Sequence, residues 1–222
     1  SMQGWHKLDP PKSRLPLPWP VVCLLVKVAM EQNEQEFAAM MMLCFALYLR
    51  PGESTRLRVQ DLVPPVMSRA KRRSPGFWSV VLHPIELSTS SKTGEFDETL
   101  LFDLPEIQFI PKALQSVLKL KQKTPNAFIF TKNSANLKTW MEKTGKMVGL
   151  DALGPVHPYR LRHGGASTDF ALGRRTLEQV QRRGRWKSAA SVRRYEKGGR
   201  LSQLMFALPP SVREQCLDAE AN

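Results

Sequence analysis

The chain has 222 residues, 42% of them apolar and 24% charged, which is enough material for one domain with a sizeable core and too balanced for a disordered tract. Lys and Arg number 33 against 20 Asp and Glu, a net charge of +13. That excess disfavours basic partners and favours a polyanion, of which nucleic acid is the commonest inside a cell. The excess also clusters, at SRAKRRS (68–74), GRR (173–175), QRRGRWK (181–187) and SVRRYEKGGR (191–200), whereas charge kept only for solubility would be scattered.

Ser1-Met2 reads as a cloning remnant, which points to a domain cut from a longer protein, and residues 1–19, rich in proline, read as a linker arm. Pro20 suits the first turn of a helix over VVCLLVKVAMEQ. Glu34–Leu49 is a second helical pattern, apolar on most faces and therefore central to the core; its run MMMLCFALYL is too short to span a bilayer. Pro51-Gly52 ends it with Arg50 at its last position, and a short helix resumes at Glu53 and stops near Asp61. Residues 62–76 read as an exposed loop. Phe77–His83 and Thr99–Phe102 have strand composition, joined by a polar hairpin tip that carries Lys92. Helical patterns return at 106–122 (interrupted by Pro111), 134–149, 158–172, 176–183, 188–196 and 201–208, and Pro209-Pro210 sets off a last amphipathic piece, SVREQCLDAE. The predicted fold is α+β, mainly helical with a small antiparallel sheet: a domain over 20–208 and a tail helix over 209–222. Cys23, Cys44 and Cys216 are widely spaced and form no CxxC pair, so buried thiols in a reducing compartment are expected.

Tyr195 is the residue around which a chemistry can be built. A phenol with an ordinary pKa near 10 is a poor nucleophile at neutral pH. It becomes useful where cations favour the phenolate and hold an electrophile against it. A phosphodiester is such an electrophile, and two arginines can clamp its non-bridging oxygens. Arg50 and Arg162 are the candidates. Lys92 could protonate a departing 5′ oxygen, and Trp186 offers an indole N–H to the phosphate and a flat face to Tyr195. No Asp, Glu or His cluster has metal-ligand spacing, so neither metal nor cofactor is expected. Taken singly, each residue has an ordinary explanation: a cation at a helix end for Arg50, a solvated turn for Lys92, core packing for Trp186 and Tyr195. Five in fixed order on a basic chain make a site.

The segments Leu49-Arg50-Pro51-Gly52-Glu53, Ser91-Lys92-Thr93-Gly94, Tyr159-Arg160-Leu161-Arg162-His163-Gly164-Gly165-Ala166-Ser167 and Gly184-Arg185-Trp186…Arg194-Tyr195 resemble the catalytic domain of tyrosine recombinases, the phage-integrase family. The wording is closest to recombinases of eukaryotic mobile elements of the DIRS retrotransposon or Crypton kind. The resemblance implies that Arg50 and Arg162 are the two arginines, Glu53 the acidic brace, Lys92 the hairpin lysine, His163 the histidine after the second arginine, Trp186 the His/Trp position and Tyr195 the nucleophile. Tyr159 stands where many members have histidine. His157-Pro158-Tyr159-Arg160 also spells His-x-x-Arg, so the register competes between Arg160 and Arg162, and the wording after Arg162 favours the latter. The basic residues Arg174, Arg175, Arg182, Arg183, Arg185, Lys187, Arg193 and Arg194 are expected to track phosphates of double-stranded DNA. The resemblance further implies a homo-oligomer, a tetramer on the DNA synapse with the tail helix docked on a neighbouring protomer, no small-molecule substrate, and nuclear residence. The competing readings are a type IB topoisomerase, which relaxes supercoils, and a domesticated DNA-binding module.

Overall fold

The computed structural model describes residues 15–65, 76–83, 97–118, 123–196 and 199–221. Lys92 and the prolines and lysines of 1–14 lie outside that set, as does the 68–74 basic run. Helix α1 (Trp19–Glu31) begins with Pro20 in its first turn and buries Val21, Val22, Leu24, Leu25 and Val28. Helix α2 (Gln35–Ala46) is buried almost all round, as an apolar run without a polar stripe must be. The two pack side by side, and α2 packs in turn on α6 (Tyr159–Ala171).

After α2 the chain turns through Leu47–Leu49 into a single helical turn, α3 (Pro51–Ser54), and a 3₁₀ turn at Val59–Asp61. Arg50 is therefore the N-cap of α3, and the expected helix from Glu53 to Asp61 is two short pieces. A two-residue strand β1 (Leu62–Val63) pairs antiparallel with β2 (Ser79–Leu82), which pairs with β3 (Glu98–Leu101). Sequence reading had placed 62–76 in a loop; two residues are too few to show a period of two. Val80 pairs with both Leu62 and Leu100, and all three are buried. β2 and β3 end at His83 and Asp97, where the Asp97 N–H donates to the His83 carbonyl at 3.0 Å, the base of the segment that carries Lys92.

A 3₁₀ turn at Pro105–Ile107 leads into α4 (Phe109–Val117); Pro111 lies in its first turn, where a missing N–H costs nothing. Helix α5 (Ser134–Met147) is capped by Asn133, whose side chain accepts from the Ala135 and Asn136 N–H groups. Then follow α6, α7 (Leu177–Gly184), α8 (Ala189–Val192), a 3₁₀ turn at Arg193–Glu196, α9 (Gly199–Phe206) and α10 (Pro210–Ala221). The tail helix α10 packs on α1 of its own chain and buries Cys216. Cys216 thus faces its own chain, while Leu217 on the same helix is 49% exposed. Among the described residues no helix is long and apolar enough to cross a membrane.

Two apolar clusters result. The larger one joins α1, α2, α4, α5, the sheet and α10, while a smaller one gathers Tyr48, Ala166, Val180, Val192 and Tyr195 under the flank of Trp186.

Candidate active site

The site forms where the end of α2, the first half of α6 and the stretch after α7 meet. Gly164 and Gly165 make that approach possible: a Cβ on Gly165 would lie 2.0 Å from the Phe45 carbonyl oxygen, and one on Gly164 would lie 2.2 Å from that of Leu17. With only hydrogen in the way, α2 and α6 come into near backbone contact. Arg162, 3% exposed, then reaches the Tyr48 carbonyl through Nη1 at 2.7 Å and the Gly184 carbonyl through Nη2. Its guanidinium carbon sits 4.5 Å from the centre of the Trp186 ring, a cation–π stack. Burial, with Arg185 and Arg50 close enough to repel, brings its pKa down to about 10, so it stays charged at neutral pH.

Arg160 is placed differently. Its Nε donates to the Leu15 carbonyl at 2.9 Å, and its Nη1 to those of Leu153 at 2.8 Å and Pro155 at 2.9 Å. It pins the N-terminal segment and the loop before α6, a structural duty. Between the two possible registers, only Arg162 stands beside Trp186.

The turn after α7 sets Trp186. Arg185 adopts a left-handed conformation (φ 55°) and reverses the chain, so the indole folds back over Gly184; a Cβ there would lie 1.6 Å from the ring. Gln181 clasps the turn, its amide donating to the Trp186 carbonyl at 3.0 Å. Ser188 caps α8 by accepting from the Ala190 N–H. The following 3₁₀ turn delivers Tyr195, whose ring centre is 5.2 Å from that of Trp186. Its hydroxyl is 2.6 Å from Nδ1 of His163, and the residue is 3% exposed. Tyr195 and Arg162 interact electrostatically, as do Arg50 and Arg162.

Glu53 is the brace. Its Oε1 accepts from Arg50 Nη1 at 2.6 Å, and its Oε2 accepts from the Arg50 N–H at 2.7 Å and from Arg185 Nη2 at 2.5 Å. One buried carboxylate thus stands between cations from two parts of the chain. Arg50, Glu53, Arg162, His163, Trp186 and Tyr195 are brought together. Tyr159, at the first residue of α6, is 37% exposed and lies beside His157, ring centres 5.9 Å apart; it is His163 that the structure puts against the Tyr195 hydroxyl. Lys92 lies outside the described residues.

The basic runs divide. Arg182, Lys187 and Arg193 are exposed, with Arg182 in a surface pair with Glu178 at 2.7 Å. Three others turn inward onto partners in their own chain. Arg175 donates to both oxygens of Asp103 (3.0 and 2.5 Å) and to Asp169 at 3.2 Å. Arg183 donates to the Ala46 and Leu101 carbonyls at 2.9 and 3.0 Å, tying α7 to the end of α2 and to β3. Arg185 pairs with Glu53 and with Glu98 at 3.2 Å. Arg174 is half-covered and pairs with Glu106 at 3.2 Å; the Arg194 side chain is outside the described set. These acidic partners lie up to 132 residues away, and nothing in the sequence joins them. Burial works against the Asp103 carboxyl, yet the Arg175 hydrogen bonds and the nearby Arg183 hold it below its usual range.

No protein-family model matches the chain, and no curated protein matches it in sequence. Among solved structures it is similar to the XerA recombinase, with a TM-score of 0.60 and 18% identity over 90% of this chain and 67% of that one. It is also similar to the XerH site-specific recombinase in two complexes. Bound to difH substrate before cleavage, the TM-score is 0.57 at 17% identity over 82% of this chain and 51% of that one. Bound to palindromic difH after cleavage, it is 0.59 at 17% identity over 83% and 50%. The chain spans about half the length of those XerH chains. Over most of its length this chain shares the fold of those recombinases, mainly helical with a small three-stranded antiparallel sheet.

Proposed function

We propose that the chain is the catalytic domain of a site-specific DNA recombinase that cuts and rejoins strands through Tyr195. The observation that carries this reading is the convergence of a phenol, an arginine stacked on Trp186, and a second arginine braced by Glu53 at one place. In the proposed reaction the Tyr195 oxygen attacks a phosphodiester, the bond to the 5′ oxygen breaks, and a 3′-phosphotyrosyl link forms. Arg50 and Arg162 balance the charge that grows on the non-bridging oxygens. His163 Nδ1, at 2.6 Å, is placed to take the phenol proton, and Lys92 is assigned to supply one to the departing 5′ oxygen. A 5′-hydroxyl from a partner strand reverses the step, so bond energy is conserved.

The finer proposals are assembly into a tetramer on a DNA synapse, service to a mobile element, and nuclear residence. The last two are carried by the wording of the Tyr159–Ser167 and Arg183–Lys197 segments. Incubation with a nicked suicide duplex tests the core claim: a covalent adduct that Tyr195→Phe abolishes is expected, and an adduct that survives the substitution refutes it. Supercoil relaxation without strand exchange would redirect the reading to a topoisomerase. Sequencing DNA ends attached to Tyr195 in cells tests the mobile-element role.

A further inference from the structure

Tyr48 is fully buried, lies two residues before Arg50, and has a left-handed backbone (φ 51°). That conformation disfavours a residue with a Cβ and persists only where the surroundings impose it. Both ends of the residue are held. Its carbonyl accepts from Arg162 Nη1 at 2.7 Å. Its hydroxyl donates to Asp169 Oδ2 on α6, the oxygen that also accepts from Arg175 Nε at 3.2 Å. Arg175 is itself fixed by Asp103, and the Arg183 guanidinium lies 5.5 Å from the Tyr48 ring centre. Burial, with Asp169 beside it, raises the hydroxyl pKa, so it remains a donor across the neutral range.

Resting on the recombinase reading, we propose that Tyr48 is a positioning residue for Arg162. Its phenol, anchored on Asp169, locks its own backbone so that the carbonyl aims at the guanidinium. Arg162 carries five N–H donors in a rigid plane. Two acceptors, Tyr48 and Gly184, fix that plane against Trp186 and leave the remaining donors for a phosphate. The inward-turned Arg175 and Arg183 thereby acquire a purpose: they hold Asp169 and the Tyr48 ring, which hold Arg162. A residue that merely filled space would tolerate loss of its hydroxyl. One needed merely for its backbone shape would tolerate glycine.

The test is Tyr48→Phe, which keeps the ring and the Cβ and removes one O–H. On a suicide duplex the adduct rate is expected to fall about tenfold or more, because small misplacements of a catalytic group are costly, while duplex affinity changes less than twofold. Independently of activity, the Arg162 guanidinium nitrogens, assigned through Arg162→Lys, should give separate slow-rotation signals by nitrogen NMR in the parent chain and merged ones in Tyr48→Phe. Tyr48→Gly should behave as Tyr48→Phe does. Wild-type adduct rates and unchanged Arg162 signals in Tyr48→Phe would overturn the proposal. Should Tyr48→Phe fail to fold, Asp169→Asn read by the same two measurements decides. If the parent chain forms no adduct on any duplex, the recombinase reading fails by itself, and the NMR comparison still decides whether Tyr48 restrains Arg162.

Discussion

Replacing Glu53 by Gln removes one negative charge from a place where Arg50, Arg162 and Arg185 all feel it. The shape of the side chain is kept, so packing is a minor part of the effect. Leaving buried charge unpaired costs about 3–5 kcal/mol. Two features moderate it here: Arg50 is 19% exposed and can be hydrated, and Arg185 keeps Glu98 at 3.2 Å. The lower edge is therefore expected, about 3 kcal/mol, or a fall in Tm of roughly 6–12 °C for a chain of this length. Urea denaturation followed by two probes measures the first and a thermal scan the second. The adduct rate should fall as well, because Arg50 loses one of the two carboxylate oxygens that orient it. A stability loss below about 1 kcal/mol, within the range of an exposed ion pair, would show that this carboxylate does not hold the arginines together.

Exchanging Arg160 and Arg162 separately for Lys distinguishes scaffold from chemistry: the first should lower stability and leave the adduct rate of the folded protein near normal, the second should remove adduct. Replacing the exposed Arg182, Lys187 and Arg193 together by Gln should flatten the salt dependence of DNA binding by roughly one unit of log–log slope for each lost contact, with little effect on folding; the same replacement at Arg175 or Arg183 should destabilise the fold. Gly165→Ala should cost at least about 1–3 kcal/mol by overpacking, since its Cβ would meet the Phe45 carbonyl at 2.0 Å. Burial pushes the Cys23 and Cys44 thiols up to about 12 and that of Cys216 up to about 11, from an ordinary 9.0. The folded chain thus holds those protons more tightly. The resulting stability is whole below pH 9 and falls as pH rises toward the folded values, by at most about 1.4 kcal/mol per pH unit for each thiol. Urea titrations at pH 9 and 10 should show the decline, and Cys44→Ala should make it shallower.

The helices that form the core were legible because burial and hydrophobic period coincide: α1 and α2 announce themselves as apolar runs, and α5 opens with an Asn cap. The site residues were legible through their neighbours in sequence, such as the Gly-Arg-Trp turn and the Arg162–Gly165 run. Charge was the poor guide. A cluster such as QRRGRWK exposes Arg182 and Lys187 yet buries Arg183, because Asp103 and the carbonyls of Ala46 and Leu101 wait for it on other elements. Which arginine faces water depends on contacts 82 and 137 residues away, and no local pattern encodes them. His163 illustrates the same limit: the resemblance made it a supporting residue, the histidine after Arg162, while packing placed its Nδ1 2.6 Å from the Tyr195 hydroxyl.

The separation of the two apolar clusters has a thermodynamic corollary. Val192 and Tyr195 belong to the smaller set, whereas α1, α2 and the sheet are cemented by the larger one. Segments with few shared buried contacts open at a free energy well below that of global unfolding. Helix α8 and its 3₁₀ turn can therefore breathe as a unit while the scaffold stays intact, and their amide protons should exchange with solvent long before those of α2.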